Sequence, residues 1–531
     1  MPSRRSVVFA AVALALLTLL VAYLFWLPLR PTAWGGPRRA GPFETEPLPR
    51  AGWFARDARL YLERFAHWRS PDRPLEATAE ALAGYHALLA VARYGVLWLV
   101  LRRLGGSACL AAVGTVAAAL PLAFGAPRQD QYDVGLLLFV VLVAVTSREN
   151  LSWRVAAFGL PALFAVWANA HTSAVVGLSW LALLTLGRAI EWWRARETVG
   201  ARPDVRNWLV ATVLCAVGTC LNPDGPRLFV DAFAVTKNPS LGTLPAWQPV
   251  DFSKPAGMPW GYFVTLALLF LAQLVSPRPY SPGALLVILS FGLWPLVQQR
   301  GLLYWWLIVP WLVLPQVRVA FERLVVGTDL RSVQAGTDQR SVPTRLWRNV
   351  SFGVIAAILM TTPSVRWLLT GRPRALDDST TKDTPWRVAS ELTATEADAG
   401  RLLPELRETV RTTYPDGKYR GAILAGLEQG DFLAWVLDGD DTKPLMLYSR
   451  PEAIEQRHWA EAHSALDGAS DWWETLGRHQ VNLVVIDPGR WAKLTERLRG
   501  SNAWLIIQDD SPGGLMVAMR REPKLPAELA P

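Results

Sequence analysis

The side chains that could do chemistry in this chain lie in short polar stretches between long apolar runs. They are Asp57, Arg128, Asp130, Asp133, Asn169, His171, Asn222, Trp247, Gln248 and Arg300. A carboxylate could take a proton from a hydroxyl, and a guanidinium group matches the oxygens of a phosphate. When the apolar runs are threaded through a bilayer, all of these residues fall on one side. The pattern therefore predicts a site at one membrane surface.

The composition excludes an ordinary soluble protein, because 51% of the 531 residues are hydrophobic. Residues 1–370 carry 34 Lys and Arg against 19 Asp and Glu, whereas residues 371–531 carry 20 against 26. The positive excess is arginine beside apolar segments, as the positive-inside rule describes. We therefore expect membrane lipids as partners and no nucleic acid.

The apolar runs predict an α-helical polytopic membrane domain over residues 1–370, with an outer loop at 28–80 and an inner loop at 317–349. About eleven runs could cross a bilayer, although several are shorter than a straight crossing needs. These predicted spans are 7–27, 81–101, 107–126, 134–146, 155–168, 173–187, 207–221, 259–276, 282–299, 301–316 and 350–369. The polar middle of 155–187 predicts either two short helices or a break inside one bent helix.

The arginines predict the orientation. Arg102, Arg103, Arg148 and Arg154 fall in connections that lie inside when the N-terminus is cytoplasmic, and most outer connections carry few cations. The first span is expected to be a retained anchor, with a cleaved signal peptide as the competing interpretation.

The polar remainder predicts a linker at 371–386 and an outer α/β domain at 387–531. Its apolar runs are typical of strands, and the helical patterns between them favour a small, partly parallel sheet. The expected strands are Leu445–Tyr448, Val481–Ile486, Trp504–Gln508 and Leu515–Met519.

Two acidic stretches are candidates for catalysis and binding. Asp57 opens a predicted amphipathic helix in the first outer loop, where it could act as a general base toward a hydroxyl. Arg128, Asp130 and Asp133 belong to a run of six hydrogen-bonding residues between two spans. This run could bind a sugar or a divalent cation such as Mg²⁺ or Mn²⁺, or it could be a solvated turn. The sequence leaves the cofactor unknown.

Further polar groups interrupt or border the spans. Asn169 and His171 need partners if they are buried, either around a substrate cavity or in a structural knot between helices. Arg128 and Arg300 could bind a lipid phosphate, or could simply contact membrane lipids. His86 and Arg93 are seven residues apart, so they share one face of a helix and could pair with inner acidic groups, or Arg93 could instead reach the cytoplasmic surface.

The order and spacing of several motifs carry a resemblance. They are Trp167-Ala-Asn-Ala-His171, Leu221-Asn-Pro-Asp-Gly225, Ala246-Trp-Gln-Pro-Val-Asp-Phe252, Arg300 at the start of a span, Gly430-Asp-Phe-Leu-Ala-Trp435, Val481-Asn-Leu-Val-Val-Ile-Asp487 and Asn502-Ala-Trp-Leu-Ile-Ile-Gln508. The chain resembles bacterial integral-membrane glycosyltransferases of the C-type (GT-C) fold, in the group of lipopolysaccharide-core and mannosyl transferases.

The resemblance implies transfer of a hexose or pentose from a polyprenyl-phosphate sugar to a lipid or glycan acceptor. It places the reaction at the outer face of the bacterial cytoplasmic membrane. It implies Asp57 as the catalytic base, and it fits Arg300 and Arg128 around the phosphate. Asp130, Asp133, Asn169, His171, Trp247 and Gln248 would then bind substrate.

Two other functions stay open. A transporter or lipid flippase would have paired charges in mid-membrane, for which Arg93 is a weak candidate. A non-catalytic scaffold of envelope assembly is favoured by Ala246, which stands where the resemblance predicts an acid.

Overall fold

The computed structural model of the protein combines a bundle of apolar helices with a C-terminal domain built on a small sheet. It describes residues 4–28, 53–123, 133–148, 150–195, 205–235, 239–252, 258–326, 360–393, 403–414, 416–437, 442–448, 454–511 and 514–524.

The bundle follows the apolar runs of the sequence. Runs of Ala, Leu and Val that are apolar on all sides suit helices surrounded by protein and lipid. Proline stands at the start of α3 and α11, where its missing N–H breaks no helical hydrogen bond. The helices are α1 (Arg4–Trp26), α2 (Trp53–Arg69), α3 (Pro74–Gly105), α4 (Ala108–Ala123), α5 (Asp133–Thr146), α6 (Leu160–Ala170), α7 (Ala174–Arg194), α8 (Val205–Thr219), α9 (Arg227–Val235), α10 (Met258–Val275), α11 (Pro282–Leu293), α12 (Gly301–Val326) and α13 (Pro363–Thr370).

Three of the described helices are long and apolar enough to cross a membrane, at Pro74–Gly105, Ala174–Arg194 and Gly301–Ala320. The prediction of a mostly helical, membrane-spanning chain is confirmed, whereas the number of about eleven spans stays a prediction. The run 155–187 contains a π-helical turn at Val155–Gly159 and then α6 and α7. The break between α6 and α7 lies at His171, which is extended, with φ −162° and ψ 141°.

Aromatic rings hold the centre of the bundle together. Phe139 of α5 contacts Trp180 of α7 and Tyr304 of α12, with ring centroids 5.5 and 5.1 Å apart and the rings edge to face. All three rings are buried, and edge-to-face pairs are a favourable geometry. The cluster fixes α5, whose first residue is Asp133.

The C-terminal domain is a mixed four-stranded sheet with helices packed on it. The strand order is β1-β2-β4-β3; β1 and β2 are parallel, and β4 is antiparallel to both of its neighbours. The partly parallel sheet is thus confirmed. The elements are α14 (Leu376–Ser379), α15 (Trp386–Thr393), α16 (Pro404–Thr413), β1 (Ala422–Ala425), α17 (Leu427–Val436), α18 (Gln456–Leu466), α19 (Trp472–Arg478), β2 (Val481–Ile486), α20 (Ala492–Arg499), β3 (Trp504–Asp509) and β4 (Met516–Arg520).

One edge of the sheet differs from the prediction. The short strand β1 was not expected, and the strand expected over Leu445–Tyr448 is reduced to a single bridge between Leu445 and Ile423. Pro444 precedes the bridge and has no N–H to continue a ladder.

Helix α3 joins the bundle to the C-terminal domain. It has 32 residues, which corresponds to a length of about 48 Å. Near its start, Ala79, Leu82 and Ala83 belong to the same buried cluster as β1 and β2. Leu376 is buried in that cluster too, so part of the predicted linker 371–386 packs against α3.

Candidate functional site

A buried ionic cluster links α3 and α5 at the end of the bundle where α5 begins. Arg93 donates to Asp133 Oδ1 at 2.6 Å, and His86 Nδ1 lies 3.1 Å from Asp133 Oδ2. The Arg93 guanidinium also lies 4.8 Å from the centre of the Tyr94 ring. Asp133 thus holds two cationic or polar side chains from one face of α3, as the seven-residue spacing predicts. We name Asp133, Arg93 and His86 the α3–α5 cluster.

The α3–α5 cluster keeps unused hydrogen-bonding groups. His86 is 8% exposed and Arg93 is 3% exposed. Within the part of the chain that the structure describes, His86 Nε2 and Arg93 Nε are buried without a hydrogen-bond partner. Buried polar atoms normally have partners, so orphan atoms of this kind point to a ligand, an ordered water or a functional role.

His171 packs beside the first turn of α5. The backbone N–H of Ser173 donates to His171 Nδ1 at 3.0 Å, which assigns Nδ1 as the acceptor and puts the ring proton on Nε2. Ser173 Oγ lies 2.8 Å from the same nitrogen and accepts a hydrogen bond from Trp167. A side chain at Gly135 would come within 2.3 Å of Ser173 Oγ, so this close approach requires glycine.

Asn169 ties two helix ends together. Its amide nitrogen donates to the carbonyl of Ala165 at 2.8 Å and to that of Leu221 at 2.6 Å. These bonds fix the end of α6 against Leu221, two residues beyond the end of α8. The structure therefore gives Asn169 a structural hydrogen-bond role, and its place in a sugar pocket stays a prediction.

A second cluster forms where residues 239–250, which we name the Trp247 segment, meet the start of α12. The Arg300 guanidinium carbon lies 3.4 Å from the centre of the Trp247 ring, and Arg300 Nε donates to Gln298 at 2.9 Å. The backbone N–H of Arg300 donates to the carbonyl oxygen of Ala246, and the backbone N–H of Gln299 donates to the carbonyl oxygen of Gln248. The structure thus brings together Trp247, Gln248 and Arg300, three of the predicted binding residues.

The C-terminal domain reaches the Trp247 segment through α18. Trp459 donates to Thr243 Oγ1 at 3.2 Å. On the same helix, Glu461 accepts a 2.6 Å hydrogen bond from His479. Burial disfavours the charged carboxylate, but the hydrogen bonds from His479 and Arg457 outweigh it and lower the pKa of Glu461.

Some predicted site residues cannot be placed. Arg128 and Asp130 lie outside the described residues. Asp57 falls within α2, but its side chain is not among those described. Among the described residues, no group of three or more His, Cys, Asp or Glu side chains could hold a metal ion. The roles of these residues stay predictions.

No protein-family model matches the chain, and no curated protein sequence matches it. Solved structures do. The archaeal oligosaccharyltransferase AglB from Archaeoglobus fulgidus, in complex with an inhibitory peptide and a dolichol-phosphate, is 11% identical with a TM-score of 0.51. The match covers 91% of this chain and 69% of that chain. The chain has the GT-C fold.

Two further GT-C structures resemble the chain more loosely. The Archaeoglobus fulgidus oligosaccharyltransferase tethered to an acceptor peptide is 12% identical, with a TM-score of 0.45 over 91% of this chain and 69% of that chain. ArnT from Cupriavidus metallidurans bound to undecaprenyl phosphate is 13% identical, with a TM-score of 0.35 over 96% and 97%. At such identities the likeness concerns the fold alone.

Proposed function

We propose that the protein is a glycosyltransferase that moves a sugar from a polyprenyl-phosphate donor to a lipid or glycan acceptor. The reaction would take place at the outer face of a bacterial cytoplasmic membrane. Residues 1–370 would form the membrane domain, with the N-terminus cytoplasmic. Residues 371–386 would connect it to an extracytoplasmic domain at 387–531.

The observation that carries this proposal is the α3–α5 cluster in a bundle of GT-C fold. Ionisable groups inside a membrane domain are costly and are retained mainly where they serve a function. Asp133 accepts a hydrogen bond from the Arg93 guanidinium and pairs with His86 Nδ1. Arg93 Nε and His86 Nε2 have no hydrogen-bond partner among the described residues. These two nitrogens suit oxygen atoms of a sugar or phosphate.

Transfer would invert the configuration of the sugar. The acceptor oxygen attacks the anomeric carbon, the bond from that carbon to the phosphate oxygen breaks, and polyprenyl phosphate leaves with the bonding electrons. Asp57 would take the proton of the acceptor hydroxyl. Arg300 and Arg128 would stabilise the charge that develops on the phosphate.

The remaining predicted residues would line the donor site. Asp130, Asn169 and His171 would bind the sugar, and the Trp247 ring would hold Arg300 in place. The 3.4 Å contact between ring and guanidinium supports this last role, because a cation over an indole loses much of its freedom.

The test compares Asp57→Asn with Asp72→Asn, an exposed acid that follows α2. Each full-length protein is purified in mild detergent, its bound lipids are identified by mass spectrometry, and turnover of the identified donor is measured. We expect Asp57→Asn to enrich a polyprenyl-phosphate sugar and to lower turnover by about 10²- to 10⁴-fold. Asp72→Asn should behave as the wild type.

Other outcomes would contradict the proposal. Unchanged turnover in Asp57→Asn would remove this residue from the mechanism. If neither the wild type nor the two variants retain a polyprenyl lipid, a scaffold or a transporter becomes the better interpretation.

A further inference from the structure

Helix α2 turns an aromatic face outward. Tyr61, Arg64, Phe65 and Trp68 follow the spacing i, i+3, i+4 and i+7, so they lie on one side of the helix. Tyr61 is 67% exposed, Phe65 40% and Trp68 76%. In a soluble protein, aromatic rings on a helix are usually turned away from water. A contiguous exposed apolar face therefore marks an interaction surface.

The opposite face of α2 is fixed, so the helix cannot rotate to hide its rings. Ala66 is fully buried against Trp367 of α13 and the first turns of α3. Arg69 donates to the carbonyl of Leu368 at 3.0 Å, and Ser70 Oγ donates to that of Gly371 at 2.7 Å.

Helix α13 extends this surface. Arg366 and Leu369, three residues apart and so on one face, are both exposed, Leu369 by 61%. Phe65 packs against Trp367 with ring centroids 6.0 Å apart, which joins the two helices. We name Tyr61, Arg64, Phe65, Trp68, Arg366 and Leu369 the α2–α13 patch. Both of its charged residues are arginines.

The patch lies near the start of the predicted span 81–101 of α3. Ala81 contacts the α2–α13 unit, and Leu88, seven residues further along α3, is 60% exposed. Seven residues of helix correspond to about 10 Å. The patch therefore lies about 10 Å along α3 from Leu88, an exposed apolar residue of the predicted span 81–101. Trp26 at the end of α1, a helix that contacts α13, is also exposed.

We propose that the α2–α13 patch binds the headgroups of anionic phospholipids and holds α2 in the interfacial layer. Tyrosine and tryptophan rings favour this layer because one end of the ring is apolar and the other polar. The two arginines would pair with lipid phosphates, which attract juxtamembrane cations. On this proposal the patch contacts the lipid headgroup layer and not a protein partner.

The first measurement counts retained lipids. The full-length protein is reconstituted with phosphatidylcholine and phosphatidylglycerol, re-extracted in mild detergent and analysed by native mass spectrometry. We expect wild type to retain phosphatidylglycerol preferentially, and Arg64→Gln/Arg366→Gln to lose about fivefold or more of that preference. The control Arg411→Gln/Arg497→Gln removes two exposed arginines of the C-terminal domain and should retain it.

An unchanged preference in the Arg64→Gln/Arg366→Gln protein would overturn the proposal, as would an equal loss in the control. If the double variant does not fold, a fluorescent label on Trp68→Cys, in a chain whose other cysteines are alanine, decides instead. Quenchers on the lipid headgroup should then act more strongly than quenchers deep in the acyl chains. A label that neither quencher reaches would place the patch in water or against a protein.

Discussion

Two carboxylates on or beside α3, the buried Glu80 and the half-buried Asp133, differ in their surroundings. Glu80 is fully buried and accepts hydrogen bonds from the Arg374 side chain, the Arg374 backbone N–H and the Ser364 hydroxyl. Asp133 binds Arg93 and His86, each of which keeps a buried nitrogen without a partner among the described residues.

The two carboxylates differ in how completely their partners' hydrogen-bonding groups are used. The bonds at Glu80 satisfy both of its oxygens and connect α3 to the start of the C-terminal domain, so nothing is left for a ligand. The α3–α5 cluster lies in the bundle, and two of its buried nitrogens have no hydrogen-bond partner among the described residues. Two experiments test this distinction, and a third concerns a carboxylate of the C-terminal domain.

The largest effect is expected at the α3–α5 cluster. Asp133→Leu leaves Arg93 buried and unpaired, so it should lower the free energy of unfolding by about 3–5 kcal/mol and abolish transfer. The double variant Arg93→Met/Asp133→Leu replaces the ion pair with apolar side chains and should recover most of that stability. Transfer should stay lost. Unfolding in detergent and donor turnover measure the two effects, and a double variant with normal turnover would make the cluster purely structural.

A smaller overall effect is expected at Glu80, because stability alone should change. Arg374→Ala leaves a buried carboxylate without its cation, which should cost about 3–5 kcal/mol of unfolding free energy. The matched control is Arg387→Ala, which removes an exposed ion pair to Asp377 and should cost less than about 1 kcal/mol. Folded Arg374→Ala protein should still transfer sugar. If the two variants unfold at equal midpoints, the ion pair between Glu80 and Arg374 does not stabilise the contact between α3 and the C-terminal domain.

The smallest effect is a pH dependence in the C-terminal domain. The pKa of Glu461 lies below its ordinary value of 4.5 because of His479 and Arg457, despite partial burial. A lowered carboxyl pKa stabilises the fold above pH 4.5, and this contribution is lost as the pH falls through the lower folded value. The wild type should therefore melt higher than Glu461→Gln at pH 6 to 7, and the two should converge below pH 4.5. A difference in melting temperature that does not change with pH would show that packing, and not the charge of Glu461, is responsible.

Local patterns predicted much of this molecule. The seven-residue spacing of His86 and Arg93 showed a shared helix face, and the polar run at 169–172 showed the break between α6 and α7. The partner Asp133 could not be predicted, because it is 40 residues from Arg93 in the chain and belongs to another helix. Sequence periodicity reports which side of a helix a residue occupies, not which helix lies opposite.

The misses have similar causes. Strand β1 has four residues, Ala422–Ala425, and is too short for periodicity to distinguish it from a helix. The contact of Glu80 with Arg374 spans almost 300 residues. The contact between Trp247 and Arg300 depends on backbone pairing between residues 246–250 and 295–300, which no local pattern encodes.

The continuous α3 has a mechanical consequence. Glu80, His86 and Arg93 are fixed on one 32-residue helix, so six residues, or about 9 Å of rise, separate the domain contact from the first residue of the ionic cluster. A helix without an internal break behaves as a stiff rod on this scale. An axial displacement of Glu80 would therefore be carried over that distance to His86 and Arg93.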